Sequence, residues 1–279
     1  MSDQGRQVSA TGTKVPTKGL FITGSDTGVG KTVVAAAIIR TVRAAGMRVG
    51  AYKPAVSGAV RDALGRPIWE DVEALAAAVG EPVSGDWICP QRFLAPLAPH
   101  LAARAEGASI DESLLVAGAS VWAAKGLQNG ESTGGVEALV VEGAGGILSP
   151  LSDRLLNVDV AVEFGYPVVI VSRQGLGAIN RALLAVEAAR SRGLVVAAVL
   201  LNETEIASNE QSGREDGLID RRARDPSVPL NRPELARWLP GIPIVETGWS
   251  ESRDLRNQPG FLTINWWQLM DHGAVLVRP

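Results

Sequence analysis

Short runs of apolar, often β-branched residues recur along the chain, each followed closely by a glycine cluster. Residues 20–23, 138–141 and 168–172 are three such runs, and glycines gather after them at 24–30, 143–146 and 175–177. Continuous apolar stretches of this length predict strands buried on both faces, as in a parallel sheet. Helical spacing follows two of them. Residues 33–45 are alanine-rich and stop at Gly46, and residues 179–191 stop at Gly193. Strand, glycine turn, helix and strand again predict βαβ units, and their repetition predicts a doubly wound α/β fold. Further strands are expected at 48–52, 195–201 and 244–246, and further helices at 70–79, 99–105 and 114–125. Residues 203–231 break the pattern, being charged and without a period, and are expected to form a long surface excursion. Residues 1–18 hold no apolar run and are expected to be a flexible tail, leaving 19–279 as one domain.

Composition narrows the function. Of 279 residues 31 are glycine, about 11% against roughly 7% on average, so the glycine turns stand out in the whole chain. Lys and Arg total 27 against 30 for Asp and Glu, a net charge of -3 that lacks the basic footprint of a nucleic-acid binder. A single cysteine, Cys89, excludes an internal disulfide. With only His100 and His272 beside it, a zinc cluster is excluded too. No segment has the apolar length of a membrane span, and no apolar stretch follows the early charges, so a cytoplasmic protein is expected.

The most informative stretch is Gly24-Ser25-Asp26-Thr27-Gly28-Val29-Gly30-Lys31-Thr32, set between a predicted strand and a predicted helix. Glycines there let the backbone wrap a polyphosphate, with the start of the helix adding its positive dipole end. The expected contacts run through Gly28, Val29, Gly30, Lys31, Thr32 and Val33. Lys31 would reach the terminal phosphates, and the Thr32 hydroxyl would ligate Mg2+. Ser25 stands where the common spacing has glycine, so the loop is a variant.

Two more strand ends carry chemistry. Tyr52-Lys53-Pro54 leaves Lys53 at the carboxyl edge, where α/β sheets place ligands and where a cation stabilises a transferring phosphoryl group. Glu142 ends another strand before a second glycine turn, Gly143, Ala144 and Gly145, and suits a hard cation that takes one or two carboxylates. Spacing alone leaves Asp71, Glu70 and Asp62 open as the second acid.

Together these stretches resemble the dethiobiotin synthetase family. The resemblance rests on residues 23–32, 52–58, 96–103 (Pro-Leu-Ala-Pro-His-Leu-Ala-Ala), 141–151 and 176–180, in order along about two-thirds of the chain. It implies a P-loop NTPase-like three-layer α/β fold with a mostly parallel central sheet, working as a homodimer. It also implies ATP and Mg2+, with CO2 and 7,8-diaminononanoate as the other substrates. The diamine would be carboxylated to a carbamate, phosphorylated to a carbamic-phosphoric anhydride, and closed to dethiobiotin in biotin biosynthesis. By the same resemblance Lys53 and Lys31 would be catalytic, and Thr32, Asp71 and Glu142 would hold the metal. Thr27 and Ser57 would meet the carbamate or the diamine, while Asn202 would meet the adenine and Pro243, Ile244 and Val245 would flank that base.

Other classes fit less well. A partition-type ATPase switch carries a second lysine five residues before the phosphate-loop lysine, and Asp26 stands there. A glutamine-dependent synthetase needs a nucleophilic cysteine in a glycine-flanked turn, which Ile88-Cys89-Pro90 is not; Cys89 reads as a small buried filler. A nucleotide-binding relative without catalysis is weakened by the presence of both lysines and both acids. Trp266 and Trp267 read as cover for the sheet or an interface.

Overall fold

The computed structural model describes residues 6–8, 14–80, 82–124, 135–204, 225–248 and 254–271. Its centre is a six-stranded sheet of β1 (Lys18–Gly24), β2 (Val49–Tyr52), β3 (Ala138–Gly146), β4 (Val168–Arg173), β5 (Val196–Asn202) and β6 (Ile244–Thr247). Side by side they run β6-β5-β4-β1-β3-β2, and every pairing is parallel. β2 and β5 are buried at every position, which explains continuous apolar runs where a one-sided sheet would alternate.

The main helices are α1 (Lys31–Ala44), α2 (Glu70–Val79), α3 (Pro99–Ala105), α4 (Asn157–Phe164), α5 (Ala178–Arg190) and α6 (Val228–Trp238). From β1 the chain crosses toward β2, whereas from β4 it crosses the other way to β5. Right-handed crossovers in opposite directions put their helices on opposite faces, giving three layers. α1 accordingly packs with α2, and α5 with α6. Because the direction of winding reverses across β1, the loop that follows β1 opens into the crevice where such sheets bind ligands.

An aromatic cluster anchors α4 to the sheet. Phe164 stacks on Tyr166 with ring centroids 5.5 Å apart and lies 6.2 Å from both Phe21 and Tyr52. At the far side Trp266 is buried against Phe261, and Lys18 sits over the Trp267 ring at 4.8 Å, so the tryptophan pair is structural cover.

Three expectations change. Residues 6–8 and 14–16, inside the presumed tail, pair as an antiparallel ribbon, and the Tyr166 hydroxyl donates to the Pro16 carbonyl at 2.6 Å. The helix expected at 114–125 is two short ones, Leu114–Ala117 and Ser120–Ala124. The break falls at Gly118, where a Cβ would collide with the Tyr52 hydroxyl that donates to the Leu114 carbonyl. The charged stretch 203–231 is helical from Val228 onward; its residues 205–224 lie outside the described residues.

Candidate active site

The loop leaving β1 turns through Gly28 at φ 69° and Gly30 at φ 90°, backbone angles that side chains disfavour. Gly30 caps α1 in the left-handed conformation, so the helix begins at Lys31 with its amino end at the loop. The Lys31 ammonium folds back onto the Asp26 carbonyl at 3.0 Å. Burial lowers its pKa to about 8, although the acids around it pull the other way.

Deeper in the site, four side chains from four elements meet. Lys53, one residue past β2, is only 2% exposed and places its Nζ 2.6 Å from Glu142 Oε1 and 2.8 Å from Asp71 Oδ2. The Thr32 hydroxyl lies 2.7 Å from Asp71 Oδ1 and 2.9 Å from Glu142 Oε1. Glu142 belongs to β3, and Asp71 to the acidic first turn of α2. Burial acts against the charge on Lys53, but the two carboxylates outweigh it and hold the ammonium charged well above the usual lysine range. Burial likewise pushes the Glu142 carboxyl up against the pull of Lys53. For Asp71 the lysine outweighs burial, and its carboxyl sits below the usual range. The structure thereby chooses Asp71 from the three acids that spacing left open.

A cavity of about 720 Å³ opens over this cluster. Among the expected residues, Thr27, Gly28, Gly30, Lys31, Thr32, Val33, Lys53, Ser57, Asp71, Glu142, Ala144, Gly145 and Asn202 line it. Val29 and Gly143 do not. Val29 is buried behind the loop, and Gly143 is packed so tightly on Asn157 that a Cβ there would collide with its amide. Ser57 donates to the Leu97 carbonyl at 2.5 Å, joining it to the segment 96–99 that forms the opposite wall.

At the other end one expectation changes. Pro243 precedes β6 and Ile244 and Val245 form its first half, away from the carboxyl edge, and none of the three lines the cavity. The parallel register brings Thr247 beside Asn202 instead, and Gly248 just beyond it forms the wall with Glu203, Thr204 and Leu255. Asn202 lines the cavity, with Nδ2 donating to the Val29 carbonyl at 2.9 Å and Oδ1 accepting from Thr247 at 2.8 Å, which leaves one amide hydrogen and one lone pair for a ligand.

Sequence reading missed Asn157. It opens α4 fully buried, and its Nδ2 donates to the carbonyls of Ala144 at 2.8 Å and Gly146 at 3.0 Å, pinning the glycines expected to form a second turn, which in the structure extend β3. A lone asparagine among alternating valines carries no signal for that role.

A family model described as AAA domain matches residues 18–227. The chain is 44% identical over 232 residues to the ATP-dependent dethiobiotin synthetase BioD of Anaeromyxobacter dehalogenans (strain 2CP-C), covering 83% of this chain and 90% of that protein. The chain belongs to the dethiobiotin synthetase family. Within the family it is also 35% identical over 234 residues to BioD of Rhodopirellula baltica, covering 81% of each chain. Among solved structures, a nucleotide-binding protein from Archaeoglobus fulgidus in complex with ADP aligns over 88% of this chain and 90% of that one, at 13% identity and a TM-score of 0.40.

Proposed function

We propose that the chain is an ATP-dependent dethiobiotin synthetase that joins CO2 to 7,8-diaminononanoate and closes the ring in biotin synthesis. The observation that carries this reading is the cluster of buried Lys53 and Glu142 with half-buried Asp71 and Thr32 at the end of a phosphate loop, sharing one cavity with Ser57 and the 96–99 wall.

In the proposed sequence a neutral amine of the diamine attacks CO2, a carbon–nitrogen bond forms, a proton leaves, and a carbamate results. A carbamate oxygen then attacks the γ-phosphorus of ATP, breaking its bond to ADP and forming a carbamic-phosphoric anhydride. The second amine attacks the carbonyl carbon and expels phosphate; loss of its proton completes the cyclic urea. Phosphoryl transfer of this kind asks for alignment and neutralised charge more than for covalent help. Lys31 supplies charge at the phosphates, and Lys53, held protonated by two acids, supplies it beside the transferring group. Thr27 and Ser57 face the carbamate and diamine end. No side chain need be a nucleophile.

Mg2+ fits the donor set. Glu142 Oε2 is buried without a hydrogen-bond partner, and Thr32 and Asp71 stand beside it. Among the described residues no group of three His, Cys, Asp or Glu side chains could hold a metal, which suits an ion that keeps waters and phosphate oxygens as ligands. When bound, the ion would neutralise phosphate charge. A homodimer and a cytoplasmic location complete the reading. Leu97, Leu148 and Leu176 are exposed apolar surface that a second copy would cover, and no described helix is long and apolar enough to cross a membrane.

The test is ADP release from Mg-ATP and bicarbonate with and without 7,8-diaminononanoate. Diamine-dependent release matched one-for-one by dethiobiotin is expected. Release indifferent to the diamine would return the protein to a nucleotide switch.

A further inference from the structure

β3 does not keep step with β1. Ile22 pairs with Glu142 but Gly24 pairs with Gly146, so two steps along β1 take four along β3. The surplus residues bulge from the ladder, and a bulge re-aims the backbone it contains. Ala144 and Gly145 line the cavity, while Asn157 sits fully buried behind them and outside the cavity lining. Its Nδ2 donates to the carbonyls of Ala144 at 2.8 Å and Gly146 at 3.0 Å. The reversed amide would set Oδ1 against both carbonyls, so the donor end is fixed.

A trans peptide directs its C=O and N–H to opposite sides. Holding the Ala144 carbonyl on Asn157 therefore turns the Gly145 N–H away from Asn157 and toward the cavity. The next two N–H groups are used within the protein: Gly146 donates to Ser149 Oγ at 2.8 Å, and Ile147 to the Gly24 carbonyl at 3.0 Å. Gly145 has φ 72°, and a β-carbon built on it would lie 3.6 Å from Thr27 Oγ1, so this stretch of backbone faces the phosphate loop. An N–H aimed there meets oxygens on which charge builds during phosphoryl transfer.

We propose that Asn157 is a positioning residue for that transfer: by holding the bulge of β3 it aims the Gly145 N–H at an oxygen of the transferring phosphoryl group. The inference rests on the ATP-dependent reading of the site, and it gives the task to a side chain that touches neither nucleotide nor substrate.

The experiment measures kcat with Mg-ATP, bicarbonate and 7,8-diaminononanoate, and Kd for ADP with Mg2+ by calorimetry. Both are measured on the native chain and on Asn157→Leu, which keeps the bulk and removes the donor. kcat is expected to fall about 10- to 100-fold while the ADP Kd stays within about two-fold, because ADP lacks the phosphoryl group that the N–H serves. An unchanged kcat would overturn the proposal. So would an ADP affinity that falls in parallel with kcat, since a site that has merely lost support weakens every phosphate contact. Asn157→Ser keeps one donor and covers the case in which Asn157→Leu does not fold. Its kcat should fall by a smaller factor, again without loss of ADP, and a native rate there would overturn the proposal just the same. A native chain that releases no ADP in response to the diamine sinks the dethiobiotin reading itself, an outcome distinct from a variant that turns over at the native rate.

Discussion

Lys53 is held by two carboxylates, and they depend on it in turn. Removing it leaves Glu142 and Asp71 facing each other without a cation between them. Lys53→Ala is therefore expected to cut turnover by about 10²- to 10³-fold, with a stability loss of about 3–5 kcal/mol from the unpaired buried charge. Steady-state rates and urea unfolding read the two effects separately; turnover within a few-fold of the native rate would remove Lys53 from the chemistry. Cys89 shows the opposite extreme, a buried side chain with no task at the site. Burial pushes its thiol up to about 12, so a disulfide reagent at pH 8 should label it only after unfolding. Between the ordinary thiol value of 9.0 and about 12 the folded chain keeps a proton that the unfolded chain gives up. Its contribution to stability is thus full below that window and is lost as pH rises through it. Rapid labelling of the native protein would contradict the packing.

Among the elements, α4 joins the site to the core. Asn157 at its start pins the glycine-rich end of β3, and Phe164 at its end fills the aromatic cluster over β1 and β2. Phe164→Ala should cost about 3–5 kcal/mol in denaturant unfolding, and Phe164→Leu distinctly less; equal losses would mean that the ring fills no well-packed space. The same helix marks the limit of what the sequence makes legible. Strands buried on both faces announce themselves as apolar runs, and α2 and α3 occupy the residues their spacing predicts, Glu70–Val79 and Pro99–Ala105. Asn157–Phe164 reads Asn-Val-Asp-Val-Ala-Val-Glu-Phe, an alternation that masks the helical spacing of buried Val158, Ala161 and Phe164. Asp159 supports the start of the helix locally, accepting from the Leu156 N–H at 2.8 Å. Lys31 and Thr32 were legible because they begin α1 after the glycine loop, Lys53 because it follows β2 directly, and Glu142 because it closes the apolar run of β3 before its glycines. The choice of Asp71, the role of Asn157 and the engagement of Asn202 were not, since each depends on which distant elements the sheet order brings together.

At the scale of the whole molecule, the site draws on the segments that follow β1 and β2 and on β3, β5, α1 and α2, so a ligand that bridges them should stabilise the entire fold. Mg-ATP at about 100 times its Kd is expected to add about 2.7 kcal/mol, visible as a higher melting temperature. Adding EDTA should remove most of that gain while leaving the melting temperature of the nucleotide-free protein unchanged. A shift that survives EDTA would argue against a metal at Thr32, Asp71 and Glu142. The order of the strands also has a consequence for how the chain assembles. Ala138 faces Lys18 on one side and Val49 on the other, so β1 and β2, joined by a single helix, never touch. The sheet cannot close around the nucleotide loop until β3 has left the ribosome. Through roughly the first half of synthesis two apolar strands wait without their central neighbour, which makes this a slow-nucleating topology and the nascent chain a natural client for chaperones.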